Sequence, residues 1–430
     1  MIETASLPHW PAPSAQHTVR GVVAVPGSKS MTNRALLCAA LAEGMSRVRR
    51  PLMSRDSELM QAGLAIFGAG FQAGDDDVLV TGAPPPLTVS PHALIHVGLA
   101  GTVARFLPPV AALATGAVRF DGDEQMRRRP IGELLASLRT LGADIDDGDR
   151  AALPFAVHGT GLVRGGAVSV DATQSSQLVS GLLLAAPYFT TGVDVTVSGE
   201  MPSAPHVAMT VAMMRRAGAD VDVSPGRWRV LPGSYEATDV DIEPDATSAS
   251  YFFAAAAITG GSVTVTGWPH HSVQPSDHLV GVLTAMGVRF EYADGALTAT
   301  GPGTLAGIDI DLHDISEVTP TIAVLAAVAS GPTTIRGVGH IRLHETDRLA
   351  ALAAEINRLG GDVRERADGL EIRPRPLRGG TWQTYADHRM AMSGAVLGLV
   401  VPGIKIVDIG CTSKTMPDFA DRWHALVQPA

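Results

Sequence analysis

The chain has 430 residues, 46% of them hydrophobic, which is material for two or three globular domains with ample apolar cores. Its 33 Lys and Arg against 43 Asp and Glu give a net charge of −10, so no long-range positive field gathers nucleic acid or an anionic membrane, and a bound anion must meet a local cluster of basic groups. Two cysteines, Cys38 and Cys411, exclude a disulfide framework and a four-thiolate metal site and suggest a reducing compartment. Residues 1–16 lack a basic segment followed by an apolar run, and stretches such as 391–401 fall short of the roughly 20 residues of a membrane helix. A cytoplasmic protein is expected.

In chain order, six Ala- and Leu-rich segments read as helices, each running up to a glycine and then a short strand: residues 36–44, 104–116, 178–192, 250–260, 322–331 and 390–403. The closing glycines are 72, 76, 68, 71 and 72 residues apart. A second helix recurs in step at 134–141, 209–217 and 349–359, each before a Gly-Ala-Asp or Gly-Gly-Asp; weaker copies end at Gly68 and Gly287, and 419–427 begins the sixth. A glycine after a helix suits a left-handed cap, and the β-branched runs 193–197 and 262–266 read as strands. Each unit is then strand, helix, strand, helix and more strand. Three units per globule puts a break within the acidic stretch 238–245, with a cleft between two domains. A single ring of six units is disfavoured, because one core rarely grows past about 250–300 residues.

Residues unsuited to an apolar core gather just before these helices. Gly27-Ser28-Lys29-Ser30 with Arg34, Gly101-Thr102 with Arg105, Ser175-Ser176-Gln177, Glu317 and Asp387-His388-Arg389 precede first helices; Arg127-Arg128-Arg129-Pro130, Pro202-Ser203, residues 344–348 and Ser413-Lys414-Thr415 precede second ones. Helix N-termini turned to one cleft, with Lys29, Arg34, Arg129, Arg348, Arg389 and Lys414, would make a strongly positive site for phosphate and carboxylate ligands. Taken singly, each has a plainer reading: Ser, Thr and Asp before helices are ordinary caps, and Arg127 to Arg129 is a solvated surface run. Lys29-Ser30 follows Ser28 rather than Gly, so no P-loop is present. Cys38 reads as a packed core thiol, and His9, His270 and His271 as surface residues.

These motifs, with Asn33, Ala100, Ile131 and the run 390–392, resemble the EPSP synthase (3-phosphoshikimate 1-carboxyvinyltransferase) family of enolpyruvyl transferases, in order, over about residues 19–425. The resemblance implies an α/β (α+β) fold, the inverse half-barrel pair of six βαβαββ units. It also places residues 27–242 in one domain and 1–26 plus 243–430 in the other. The implied reaction joins shikimate 3-phosphate to phosphoenolpyruvate without a cofactor or metal, in a monomer with no nucleic-acid or membrane partner; glyphosate is the inhibitor expected to occupy the phosphoenolpyruvate subsite. Glu317 is then the base and Glu345 the acid, with Lys29 and Lys414 as proton carriers. Shikimate 3-phosphate falls to Lys29, Ser30, Arg34, Ser175, Ser176, Gln177, Ser203, Glu317 and His344, and phosphoenolpyruvate to Lys29, Gly101, Arg129, Gln177, Arg348, Arg389 and Lys414.

Four positions depart from the common family pattern: Leu99 for Asn, His206 for Tyr, Glu317 for Asp and His344 for Lys. Leu99 removes a polar contact, Glu317 keeps its carboxylate on a longer stem, and His344 keeps a lysine's charge only where a neighbouring phosphate raises its pKa. The alternatives are the sister transferase acting on UDP-N-acetylglucosamine, which uses a loop cysteine unlike Cys38 or Cys411, and a non-catalytic binder of a phosphorylated metabolite.

Overall fold

The structure, a computed structural model, describes residues 8–428. The reading of residues 1–16 as free of a leader falls partly outside them. The chain divides into two compact units, Gly27–Ile242 and a second made of the chain up to Pro26 with the chain from Glu243 onward. Each has its own apolar core.

Among the described residues, twelve helices of nine residues or more mark the repeats. The first unit holds α1 Lys29–Leu41, α2 Arg55–Ala65, α3 Gly101–Ala112, α4 Gly132–Thr140, α5 Gln177–Ala185 and α6 Pro205–Arg216. The second holds α7 Ala246–Thr259, α8 Ser276–Ala285, α9 Thr319–Ala327, α10 Arg348–Arg358, α11 His388–Gly398 and α12 Phe419–Val427. Odd-numbered helices run through the cores: all residues of α3, α9 and α11 are buried. Even-numbered helices bury one stripe, as α12 does with Phe419, Trp423 and Leu426.

Each repeat closes one small sheet. In the third, Gly166–Asp171 pairs in parallel with Val193–Ser198 across α5, and the hairpin Val221–Ser224 with Arg227–Val230 adds antiparallel strands after α6. Parallel neighbours need a crossover, and the buried helix supplies it. The first repeat takes its parallel strand from far along the chain, Val240–Asp241 beside Met45–Arg49. Arg20–Val23 instead pairs with Ser262–Thr266 in the fourth repeat. The sixth sheet is likewise completed from the start of the chain, by His9–Pro11 against Lys405–Val407.

The helix boundaries expected from sequence need correction. Buried helices begin earlier than expected because polar first turns such as Lys29–Arg34 are already helical rather than loop, and they end short of the repeat glycine. Among those glycines only Gly260 is itself a left-handed C-cap. Gly44, Gly116, Gly192 and Gly403 have positive φ in the following turn or strand, and Gly331 does not. The glycines after second helices are the uniform ones: Gly68, Gly142, Gly218, Gly287 and Gly360 have φ of 92° to 104°, a region closed to side chains bearing a β-carbon. No helix among the described residues is long and apolar enough to cross a membrane.

Candidate functional site

In the unit Gly27–Ile242, three helix starts carry the sequence-singled residues, and none has a side-chain cap on its N-cap residue: Ser28 before α1, Ala100 before α3 and Ser176 before α5. Ser175 Oγ does accept the Gln177 N–H at 3.3 Å. Lys29 stands at the first position of α1, 3.5 Å from the buried Asp56 carboxylate. Gly101 opens α3, and a β-carbon there would lie 2.9 Å from Arg105 Nη1, 3.0 Å from Gln177 Oε1 and 3.3 Å from Arg129 Nη2. Three side chains, from α3, from the turn before α4 and from α5, therefore converge on one backbone position. Arg105 holds them in place: it donates to Gln177 Oε1 at 3.2 Å and to the Pro130 carbonyl at 2.8 Å. Leu99, lacking an amide, contributes its carbonyl, 3.4 Å from Arg129 Nη1.

Arg34 is 1% exposed and lies over the Phe106 ring. Its fork donates to the carbonyls of Ser30 and His206, to Thr210 Oγ1 and to Ser180 Oγ. Burial lowers its pKa to about 10. It ties α1 to α5 and α6, and so links Ser30 to the turn before α6, where Ser203 holds a left-handed φ of 55°. Arg127 and Arg128 are exposed and paired with Asp121 and Glu124, so the basic run is a solvated face as far as these two go; Arg129 alone turns inward.

In the second unit the six expected residues meet directly. Arg348, 1% exposed at the start of α10, reaches Glu317 Oε2 at 3.0 Å, Glu345 Oε2 at 2.8 Å and Asp387 Oδ2 at 2.8 Å. Arg389, in the first turn of α11, reaches Glu317 Oε2 at 2.5 Å, and Lys414 reaches Glu345 Oε1 at 2.5 Å. Three cations thus face three carboxylates, so this half of the expected site is charge-balanced and not the strongly positive surface the sequence suggested. Asp347 and Asp387 also cap α10 and α11. Of the starts of α1, α3, α5, α10 and α11, the first three are the ones without a side-chain cap on the N-cap residue.

Burial pushes the Glu317 carboxyl up, but Arg389, Arg348 and His344 outweigh it and hold the group well below the usual range. Arg348 is pulled down by burial and raised further by Asp387, Glu345 and Glu317, so it stays charged. His344 Nδ1 lies 3.0 Å from Arg348 Nη1 and 3.8 Å from Glu317 Oε1. Sequence reasoning missed His340, which is half-buried with a ring nitrogen 2.8 Å from Ser316 Oγ and lies edge-on near His313 and His344. Burial, then His313, lowers its pKa to about 4. A histidine in a short turn carries no signal that would have found it.

The architecture is that of the enolpyruvyl transferases. It is similar to EPSP synthase from Acinetobacter baumannii, with TM-score 0.82 and 24% identity over 97% of each chain, and to the enolpyruvyl transferase NikO from Streptomyces tendae, with TM-score 0.76 and 18% identity over 96% of each. Within that class the sequence is more specific. The family profile for EPSP synthase (3-phosphoshikimate 1-carboxyvinyltransferase) matches residues 13–423, and a curated 3-phosphoshikimate 1-carboxyvinyltransferase of Mycobacterium ulcerans (strain Agy99) is 50% identical over 99% of both chains. The chain belongs to the EPSP synthase family.

Proposed function

We propose that the chain transfers the enolpyruvyl group of phosphoenolpyruvate to the 5-hydroxyl of shikimate 3-phosphate, releasing phosphate, on the route to chorismate and the aromatic amino acids. The observation that carries this is the pair of carboxylates Glu317 and Glu345, both bound to Arg348 but through different nitrogens, each with a second cation of its own. Addition needs a proton removed from the hydroxyl and a proton delivered to the phosphoenolpyruvate methylene, and two carboxylates in distinct settings divide those tasks. Glu317 takes the hydroxyl proton. Glu345, in contact with Lys414, serves the methylene carbon. The resulting ketal then loses phosphate from C2 and a proton from the new methyl group, restoring the double bond.

Phosphoenolpyruvate is assigned to Lys29, Gly101, Arg129, Gln177, Arg348, Arg389 and Lys414. An anion that draws Arg348 and Arg389 toward itself removes the charges holding Glu317 acidic, so substrate binding raises the basicity of the group that must accept a proton. Shikimate 3-phosphate is assigned to Lys29, Ser30, Arg34, Ser175, Ser176, Gln177, Ser203, Glu317 and His344. Arg34 acts in part through Ser30, whose carbonyl it holds at 2.9 Å. Glyphosate competes for the phosphoenolpyruvate groups. The protein acts as a monomer in the cytoplasm, where Cys38 and Cys411 stay reduced; burial lifts both thiols to about 12, which also speaks against a nucleophilic cysteine of the sister type.

Phosphate release by the purified protein tests the reading, with each substrate omitted in turn and UDP-N-acetylglucosamine as competing acceptor. Release requiring both shikimate 3-phosphate and phosphoenolpyruvate is expected. Release with the nucleotide sugar alone would replace the acceptor, and none at all would leave a binding protein.

A further inference from the structure

Glu355 lies on α10 seven residues beyond Arg348, two helical turns and about 10.5 Å along the same face. That face is turned to the protein interior, and Glu355 is 0% exposed, so its carboxylate must find its partners there. Its oxygens accept three hydrogen bonds: from Arg358 Nη1 at 2.8 Å, from the Gln383 backbone N–H at 2.9 Å and from the Tyr385 hydroxyl at 2.6 Å. The last two donors belong to the turn that leads from the strand Thr381–Trp382 into α11. Tyr385 and Ala386 both have φ of 56°, a left-handed conformation that costs a residue with a β-carbon, and two in succession persist only where their surroundings impose them. Directly after them come Asp387, which Arg348 holds, and Arg389, which reaches Glu317. One face of α10 therefore grips the turn twice, through Glu355 at its entry and Arg348 at its exit.

We infer that Glu355 is a positioning residue for the transfer reaction, acting through the strained turn 383–387 to set where Arg389 meets the phosphoenolpyruvate anion. It touches no substrate. The inference rests on the proposed function, because it needs Arg389 to bind that substrate. An arginine displaced by a fraction of an ångström still carries its charge but loses the alignment of its two-pronged contact, so the loss falls on the affinity for one substrate.

The test compares the parent with Tyr385→Phe, which removes one hydrogen bond at a partly exposed ring, and Glu355→Gln, which keeps the side-chain shape but turns an amide NH2 toward donors. Steady-state kinetics of each purified protein are measured with both substrates varied, beside thermal melting. Expected is a phosphoenolpyruvate KM raised about three-fold in Tyr385→Phe and roughly ten-fold or more in Glu355→Gln, with the shikimate 3-phosphate KM within about two-fold of the parent in both. A purely structural role would lower the folded fraction and hence the apparent kcat, leaving both KM values in place, and that result overturns the inference. Unchanged kinetics in both variants also overturn it, while the parent's turnover keeps the proposed function intact. A parent with no turnover overturns both together.

Discussion

Lys414 and Glu345 form a 2.5 Å ion pair on the side of the carboxylate opposite Arg348, which takes the other oxygen at 2.8 Å. Glu345 is thus held as an anion between two cations, whereas the methylene carbon requires a proton. In the reaction proposed above, Lys414 is the group that would return a proton to Glu345.

Lys414→Arg separates the charge from the proton, since a guanidinium keeps the ion pair but does not give up a proton in a protein. Expected is a kcat lower by roughly 10²- to 10⁴-fold, the range for loss of a general acid, with phosphoenolpyruvate KM changed much less. Steady-state rates at several pH values check it. A kcat within about three-fold of the parent would remove Lys414 from the proton path.

Glu317 links stability to pH. Its folded pKa lies below the unfolded one, so its stabilising contribution is fully present above the unfolded value near 4.3 and is lost as pH falls through the depressed folded value. Glu317→Gln leaves Arg348 and Arg389 short of one counter-charge, which at pH 7 should cost roughly 2–4 kcal/mol, somewhat under the figure for a fully buried pair because the side chain is 28% exposed. Thermal melts should show the gap between parent and variant narrowing below about pH 4. A gap that stays constant down to pH 3 would mean that the ion pairs contribute nothing.

What the sequence made legible and what it hid divide along a physical line. Gly68, Gly142, Gly218, Gly287 and Gly360 recur because a φ near 100° admits no other residue, so the repeat is visible one residue at a time. The motif residues of the second unit, Glu317, His344, Glu345, Arg348, Arg389 and Lys414, stood out as polar groups in apolar surroundings, and the fold does bring them into contact. Their mutual neutralisation was hidden, because Arg348 and Glu317 are 31 residues apart and pairing is a property of the folded chain. Glu355 was hidden for the opposite reason: a lone glutamate reads by its charge as solvent-facing, and only the left-handed turn beside it gives it a task.

Gly101→Ala should act on affinity and leave folding nearly intact. The inserted carbon meets the ends of three flexible side chains, Arg105, Gln177 and Arg129, at 2.9 to 3.3 Å, and these give way where backbone would not. A stability change under about 1 kcal/mol is expected, with a raised phosphoenolpyruvate KM and weaker inhibition by glyphosate, because the displaced groups are those assigned to both ligands. Melting and inhibition curves check the two halves separately. Unchanged KM and inhibition would move both ligands away from this helix start.

The contrast in helix capping gives the last expectation. Asp347 and Asp387 already occupy the N-termini of α10 and α11, whereas α1 and α3 begin at Ser28 and Ala100 without a side-chain cap. A phosphorylated ligand that uses backbone donors should therefore protect the latter pair and not the former. Saturating shikimate 3-phosphate with phosphoenolpyruvate should slow amide hydrogen exchange at Lys29, Ser30 and Met31 and at Gly101, Thr102 and Val103 more than at the first turns of α10 and α11. At a hundred times the dissociation constant, ligand binding stabilises the fold by about 2.7 kcal/mol, enough to slow exchange through global unfolding everywhere by the same factor of roughly a hundred. Only the excess at α1 and α3 over that uniform factor reports direct contact. Equal slowing at all four helix starts would show that the uncapped amides take no part in holding the anions.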